Sequence, residues 1–285
     1  MQIRTDLAIE SGEISADLPK GVTCNEEVKG SAKITRIIIE NKEGEAALSR
    51  PMGRYVTVEV PALSDGINGE ETANLVANEL EKLIPKSGTV LVVGLGNKTI
   101  TPDALGPAVC DRVLATRHIE KEILRSAGIE NVRSVAVVAP GVLGQTGIES
   151  FDVIKGLADK INPAVVITVD ALASRKPSRL GKTVQMTDTG IQPGAGVGNA
   201  RREINKKTLG VSVVALGVPT VVDAATLVYD MVGESKTSDK TTAEMIVTPR
   251  EIDLIIDRAA TLIADALNLT LQQGTELKLI KEIMG

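Results

Sequence analysis

Aromatic side chains are almost missing from this chain, which has one Phe, two Tyr and no Trp in 285 residues. A core must therefore be built from Val, Ile, Leu and Ala, and the stacked aromatic platforms that hold single-stranded nucleic acid are excluded. His118 is the single histidine, so Ser-His-Asp, Cys-His and multi-histidine metal schemes lose their usual base or ligands. Cys24 and Cys110 lie far apart and show no CxxC or Cys/His spacing, which argues against a disulfide framework or a structural zinc site. Positive charge is also in deficit: 32 Lys and Arg against 37 Asp and Glu give a net charge of −5, with no long basic run. A surface for DNA phosphates is not expected. No stretch approaches the roughly 20 apolar residues that span a bilayer. The start, MQIRTDLAIESGEIS, lacks the basic and then apolar layout of a secretory signal. The expectation is a soluble protein in a reducing cytoplasm, with no membrane partner.

What is present is ordinary globular composition, 43% hydrophobic and 24% charged. Strand-like runs at 33–42 and 54–63 flank a segment bearing Gly and Pro, and they predict an antiparallel flap or edge. From Glu71 the spacing turns helical, with Leu75, Val76, Leu80, Leu83 and Ile84 on one face and Glu79, Glu81 and Lys82 on the other. Apolar runs at 89–96, 133–140, 164–172 and 211–219 then alternate with predicted helices. Those helices run from Pro102 to about Thr116, from Phe151 to Lys160 and over 250–268. Continuously apolar strands between amphipathic helices are the mark of a parallel sheet covered on both faces. The fold class is α/β, three-layered, with a mostly parallel central sheet and an antiparallel embellishment near 33–63. No repeat or linker divides the chain, so one main domain is expected.

Ligands of such sheets bind at the carboxyl ends of the strands, and three loops there carry unusual residues. The first holds Gly94, Gly96, Thr101, Pro102 and Asp103, with Thr101 placed to cap a helix and Asp103 in its first turn. Thr99 stands where a GxGxxG motif needs its third glycine, so the dinucleotide reading is weak. The second begins at Asp170, directly after an apolar run, where desolvation favours the protonated acid. Asp103 and Asp170 are thus candidates to face each other across the strand ends. Such a pair can divide acid and base roles, or it can hold a divalent metal that activates water. The third loop, 188–199, carries Gly190, Gly194, Gly196 and Gly198, a density suited to close approach of a peptide backbone. Its Asp188-Thr189-Gly190 matches the triplet of pepsin-like proteases, but those are all-β. Cys110 reads as a buried thiol and His118 as a residue at a helix end.

Longer blocks resemble a known family. Arg4 to Glu10, Gly94 to Asn97 with Thr101 to Pro107, Val169 to Ser174, Thr189 to Gly194 and Gly196 to Asn199 are similar to the germination proteases of spore-forming bacteria. The resemblance implies an atypical aspartic endopeptidase with a fold like that of hydrogenase-maturation proteases. It would degrade small acid-soluble, DNA-coating spore proteins in the spore core or forespore, as a homotetramer. The family's two important aspartates fall on Asp103 and Asp170, with no cofactor required; a divalent metal, as in the maturation relatives, is the alternative, as is a non-catalytic peptide-binding protein. Family members are zymogens cut before an apolar residue that is followed by Ala, one further residue and Glu. Asp6-Leu7-Ala8-Ile9-Glu10 fits, which makes 1–6 a propeptide, 7–285 the protease domain and Asp6–Leu7 the self-cleavage bond.

Overall fold

A computed structural model describes residues 5–12, 18–65, 69–129, 131–232 and 245–284. Its strands are β1 (Val22–Lys29), β2 (Ala32–Ile39), β3 (Gly53–Glu59), β4 (Val90–Gly94), β5 (Val135–Val138), β6 (Val165–Ser174), β7 (Thr183–Thr187), β8 (Ser212–Asp223) and β9 (Ile246–Val247). All nine join one sheet in the order β1-β2-β3-β7-β8-β6-β4-β5, with β9 beside β8. The β8-β6-β4-β5 half is parallel, and every other pairing is antiparallel. The predicted α/β class and its antiparallel edge are both present. That edge continues the parallel sheet instead of folding over it as a flap.

Alternation along the central strands explains the three layers. Val90 and Val92 of β4, with Val165, Ile167 and Val169 of β6, point to one face. There they meet the helices Gly69–Glu81, Leu105–Cys110 and Ile252–Leu271. Leu91, Val93 and Val166 point to the other face and meet Phe151, Ile154 and Ala158 of the helix Ser150–Ile161. Each fully buried aliphatic side chain contributes about 1.5–3 kcal/mol, so a core without aromatic bulk is sufficient here.

Some local features add to the expectation or correct it. The segment around 43–53 contains a helix, Lys42–Leu48, whose Asn41 cap accepts a hydrogen bond from Gly44 N–H at 2.9 Å. The helix expected from Pro102 to Thr116 is instead a 3₁₀ turn, Thr101–Asp103, followed by a short helix, Leu105–Cys110. Thr101 makes no side-chain cap, since the cap position is Ile100. Glu79, assigned to a solvent face, is 2% exposed. Arg36 of β2 donates to both its carboxylate oxygens, at 2.8 and 2.7 Å, and Lys82 donates at 2.6 Å. This paired acid ties the antiparallel half of the sheet to the helix above it.

Candidate active site

Asp170 lies on β6 one residue beyond the end of the β4 pairing, where Gly94 stands opposite Val169. On its other side it is in register with Gly217 of β8. Sheet therefore encloses the residue on the β8 side, while the β4 ladder ends just before it. Its side chain is 7% exposed and accepts a hydrogen bond from Ala171 N–H at 2.9 Å. Burial pushes the carboxyl well above the ordinary range, and the negative charges of Asp103 and Asp6 push it further.

Asp103 reaches the same place from the loop that leaves β4. Leu95 N–H continues the ladder onto Val169 carbonyl at 2.8 Å, and Asn97 N–H then donates to the Asp103 carboxylate at 2.8 Å. Gly106 makes the close fit possible, because a Cβ there would lie 2.2 Å from Leu95 O and 2.5 Å from Val169 O. Gly96, at φ +111°, turns the chain so that Asp103 O passes within 2.0 Å of where a Cβ would be. These glycines bring the 3₁₀ turn against β6, and Thr220 of β8 fastens it by donating to Pro102 O at 2.8 Å. Burial raises Asp103 above its usual carboxylate value, and the Asn97 amide opposes that rise. The stabilising group is one backbone amide, not the terminus of a long helix.

A third acid, which sequence reasoning had treated only as a cleavage residue, stands beside the pair. Asp6 N–H donates to Ala173 O, and Ala173 N–H donates back to the Asp6 carboxylate, both at 2.8 Å. Burial raises Asp6 as well, against hydrogen bonds from the Ala173 and Gly196 amides and the charge of Arg50. Leu7, fully buried, packs with Ile9, Leu172 and Ile191. The following Ala8–Gly12 is a short helix. Of the expected propeptide 1–6, residues 1–4 lie outside the described residues.

The glycine loop divides in its tasks. A Cβ on Gly196 would fall 2.2 Å from the Asp6 carboxylate, so the lack of a side chain there lets the terminal segment pack against this loop. Gly190 lines a cleft of about 310 Å³ together with Asp6, Arg50, Tyr55 and Gln192. Gly194 and Gly198 flank a 3₁₀ turn and do not line that cleft. Asp188 is structural: it accepts from the backbone and side chain of Arg54 at 2.8 and 2.7 Å, joining β3 to the loop. His118 is exposed in a turn, and Cys24 is exposed and unbridged. Burial pushes the Cys110 thiol up to about 12, so it is not a nucleophile at neutral pH.

No group of three or more His, Cys, Asp or Glu among the described residues is spaced to hold a metal ion. Asp103 and Asp170 are two oxygen donors of the type a hard cation takes, and both carboxyls are raised by burial. Of the two, Asp170 is the more strongly raised, with the charge of Asp103 among the causes.

Comparison with known proteins decides the family. The germination protease family matches residues 3–234. The chain belongs to the germination protease family. The germination protease of one Clostridium perfringens strain is 41% identical over 99% of both chains. That of Caldanaerobacter subterraneus is 41% identical over 99% of this chain and 98% of its own. The Oceanobacillus iheyensis germination protease is 44% identical over 81% of this chain and 67% of its own. A solved [NiFe] hydrogenase maturation protease, HycI of Thermococcus kodakarensis, aligns with 66% of this chain at 20% identity and a TM-score of 0.38. The α/β assignment itself rests on the sheet described above. No helix among the described residues is long and apolar enough to cross a membrane.

Proposed function

We propose that this germination protease is an aspartic-type endopeptidase that begins the breakdown of small acid-soluble, DNA-coating spore proteins in the spore core. The observation that carries the reading is the Asp103 and Asp170 pair, two raised carboxyls within each other's field at the carboxyl end of the parallel strands. Like charges held in a dry site cannot both ionise, so one stays neutral and one charged. Asp170, the more strongly raised, is the neutral acid. Asp103, with the Asn97 amide on its carboxylate, is the base. Asp103 takes a proton from water as the water oxygen attacks the scissile carbonyl carbon, while Asp170 donates to the carbonyl oxygen. Collapse breaks the C–N bond as Asp103 passes its proton to the leaving amine and a hydroxyl of the diol returns a proton to Asp170, which restores the pair.

The same reading makes the chain a zymogen that cuts its own Asp6–Leu7 bond and releases Met1–Asp6. Support comes from the lodging of Asp6 against β6, where its charge acts on Asp170. The acidic balance, −5, suits a partner that is protein and not nucleic acid. The working assembly in this reading is a homotetramer, checked by sedimentation of the processed chain.

The test is cleavage of a purified small acid-soluble spore protein by the parent, Asp103→Asn and Asp170→Asn, each with and without a chelator. Cutting by the parent alone, insensitive to chelator, is the expected result. Loss of parental activity in chelator, restored by a divalent metal, would transfer the chemistry to a metal-dependent peptidase. A folded parent that binds the substrate and never cuts it would make this a binding protein.

A further inference from the structure

The amide that steadies Asp103 is itself held by a residue from a neighbouring loop. Asn97 N–H, which meets the Asp103 carboxylate at 2.8 Å, belongs to the turn after β4. The Asn97 side chain bends over that turn and accepts from Thr99 N–H at 2.9 Å. A backbone N–H only donates, so the Asn97 atom it meets is the carbonyl oxygen, Oδ1. Thr99 Oγ1 donates to the same oxygen at 2.8 Å, and Gln145 Nε2 donates to it at 2.7 Å and to Thr99 Oγ1 at 3.2 Å. Gln145 therefore faces the turn with its NH₂ group, whose two hydrogens match two oxygen acceptors. It comes from 48 residues further along the chain, in the helical turn Leu143–Thr146 after β5, the strand that lies parallel to β4. That helical turn is anchored by its own chain: Gly141, at φ +75°, bends the backbone after β5, and Ser150 Oγ donates to Gly141 O at 2.8 Å. Gln145 is exposed, so the core does not depend on it.

Resting on the reading of Asp103 as the base, we infer that Gln145 is a positioning residue for the reaction: by locking the Asn97 side chain it keeps the Asn97 N–H aimed at the Asp103 carboxylate. An N–H aimed at a carboxylate favours its charged form. One carboxyl of the Asp103 and Asp170 pair carries the charge, so the same amide directs that charge to Asp103 and leaves the proton on Asp170. Thr99 clamps Asn97 from within the turn and moves with it, whereas Gln145 ties the turn to a second loop and stops it from drifting as a whole. The loops after β4 and β5 then behave as one unit, and the base takes its orientation from both. Gln145 acts in this role through Asn97 and not on the substrate.

The experiment compares the full-length parent, Gln145→Met, Asn97→Ala and the double variant on a peptide with the sequence of residues 3–12. Gln145→Met keeps the length of the side chain and removes its donors. It should lower kcat by about 3- to 10-fold with KM within about two-fold of the parent, because the bond it weakens serves the reacting carboxylate. In the Asn97→Ala background, where the side-chain link is already gone, the same substitution should cost less than about two-fold. Hydrogen exchange at Asn97 N–H is a readout apart from activity, and in Gln145→Met it should quicken by about tenfold. Parental kcat in Gln145→Met overturns the inference, and so does a loss carried by KM alone or one of full size in the Asn97→Ala background. Should Gln145→Met not fold, Gln145→Glu replaces it, equal in length and without donors when ionised, with the same results expected. If the parent does not cut the peptide, the protease reading fails separately. Exchange at Asn97 N–H then decides the role of Gln145: a quickened rate in the variant supports it, and an unchanged rate overturns it.

Discussion

Glu79 and Asp170 are both buried acids, and the molecule treats them in opposite ways. Glu79, between the antiparallel strands and the helix above, has Arg36 and Lys82 on its oxygens. Burial alone would push it up, yet the two cations hold it below its ordinary value. Asp170, at the end of the parallel strands, has a neighbouring amide and two further acids, and burial drives it up with their help. A buried charge supplied with partners fastens structure, whereas one placed beside like charges is kept neutral and ready to give a proton. The contrast has a linkage consequence. Glu79 adds stability above its ordinary value and loses it as pH falls through its lowered one. Asp170 adds stability only below its ordinary value and withdraws it as pH rises towards its raised one.

The largest break in this comparison comes from chemistry. Asp170→Asn or Asp103→Asn should lower kcat for peptide cleavage by about 10²- to 10⁴-fold, read by steady-state kinetics on protein whose melting curve shows it folded. Next in size, Arg36→Met strands Glu79 without its main partner; urea unfolding should register a loss of about 2–4 kcal/mol, with Lys82 retaining part of the pairing. The folded fraction of that variant should keep parental kcat. A smaller effect sharpens the contrast through pH. At pH 7 Asp170→Asn should melt above the parent by about 2–4 °C for each kcal/mol relieved, and the gap should close as pH approaches 4. A gap that widened under acid would reverse the assignment. The smallest effect is local: Gly196→Ala, which sets a Cβ against the Asp6 carboxylate, should slow self-cleavage several-fold in a mass-spectrometric time course. Overall stability there should change by less than about 1 kcal/mol.

Much of this arrangement was legible because burial on both faces writes itself into composition. The runs that became β4, β6 and β8 announce a covered parallel sheet, and a carboxylate ending one of them stands out. Other parts were not, for physical reasons. β1 is mostly exposed, so its polar sequence has no periodic signal, and hairpin pairing with β2 alone makes it a strand. Lys42–Leu48 did carry a signal, an Asn cap and two glutamates in the first turn, that the nearby Gly and Pro obscured. Glu79 looked solvated because charge at a helix position reads as surface until a partner such as Arg36, 43 residues away, is known. In the site, Asp103 and Asp170 could be named from local pattern. The lodging of Asp6 and Glu10 against residues more than 160 positions later has no local trace.

The central claim, that the carboxyl pair cuts the bond lodged beside it, is tested most directly by intact mass over time. The parent and Asp170→Asn, purified in parallel as full chains, are incubated at mildly acidic pH. The account predicts that the parent loses Met1–Asp6 and begins at Leu7, while Asp170→Asn keeps its full mass. An Asp170→Asn chain that sheds the same segment at the parental rate would contradict it.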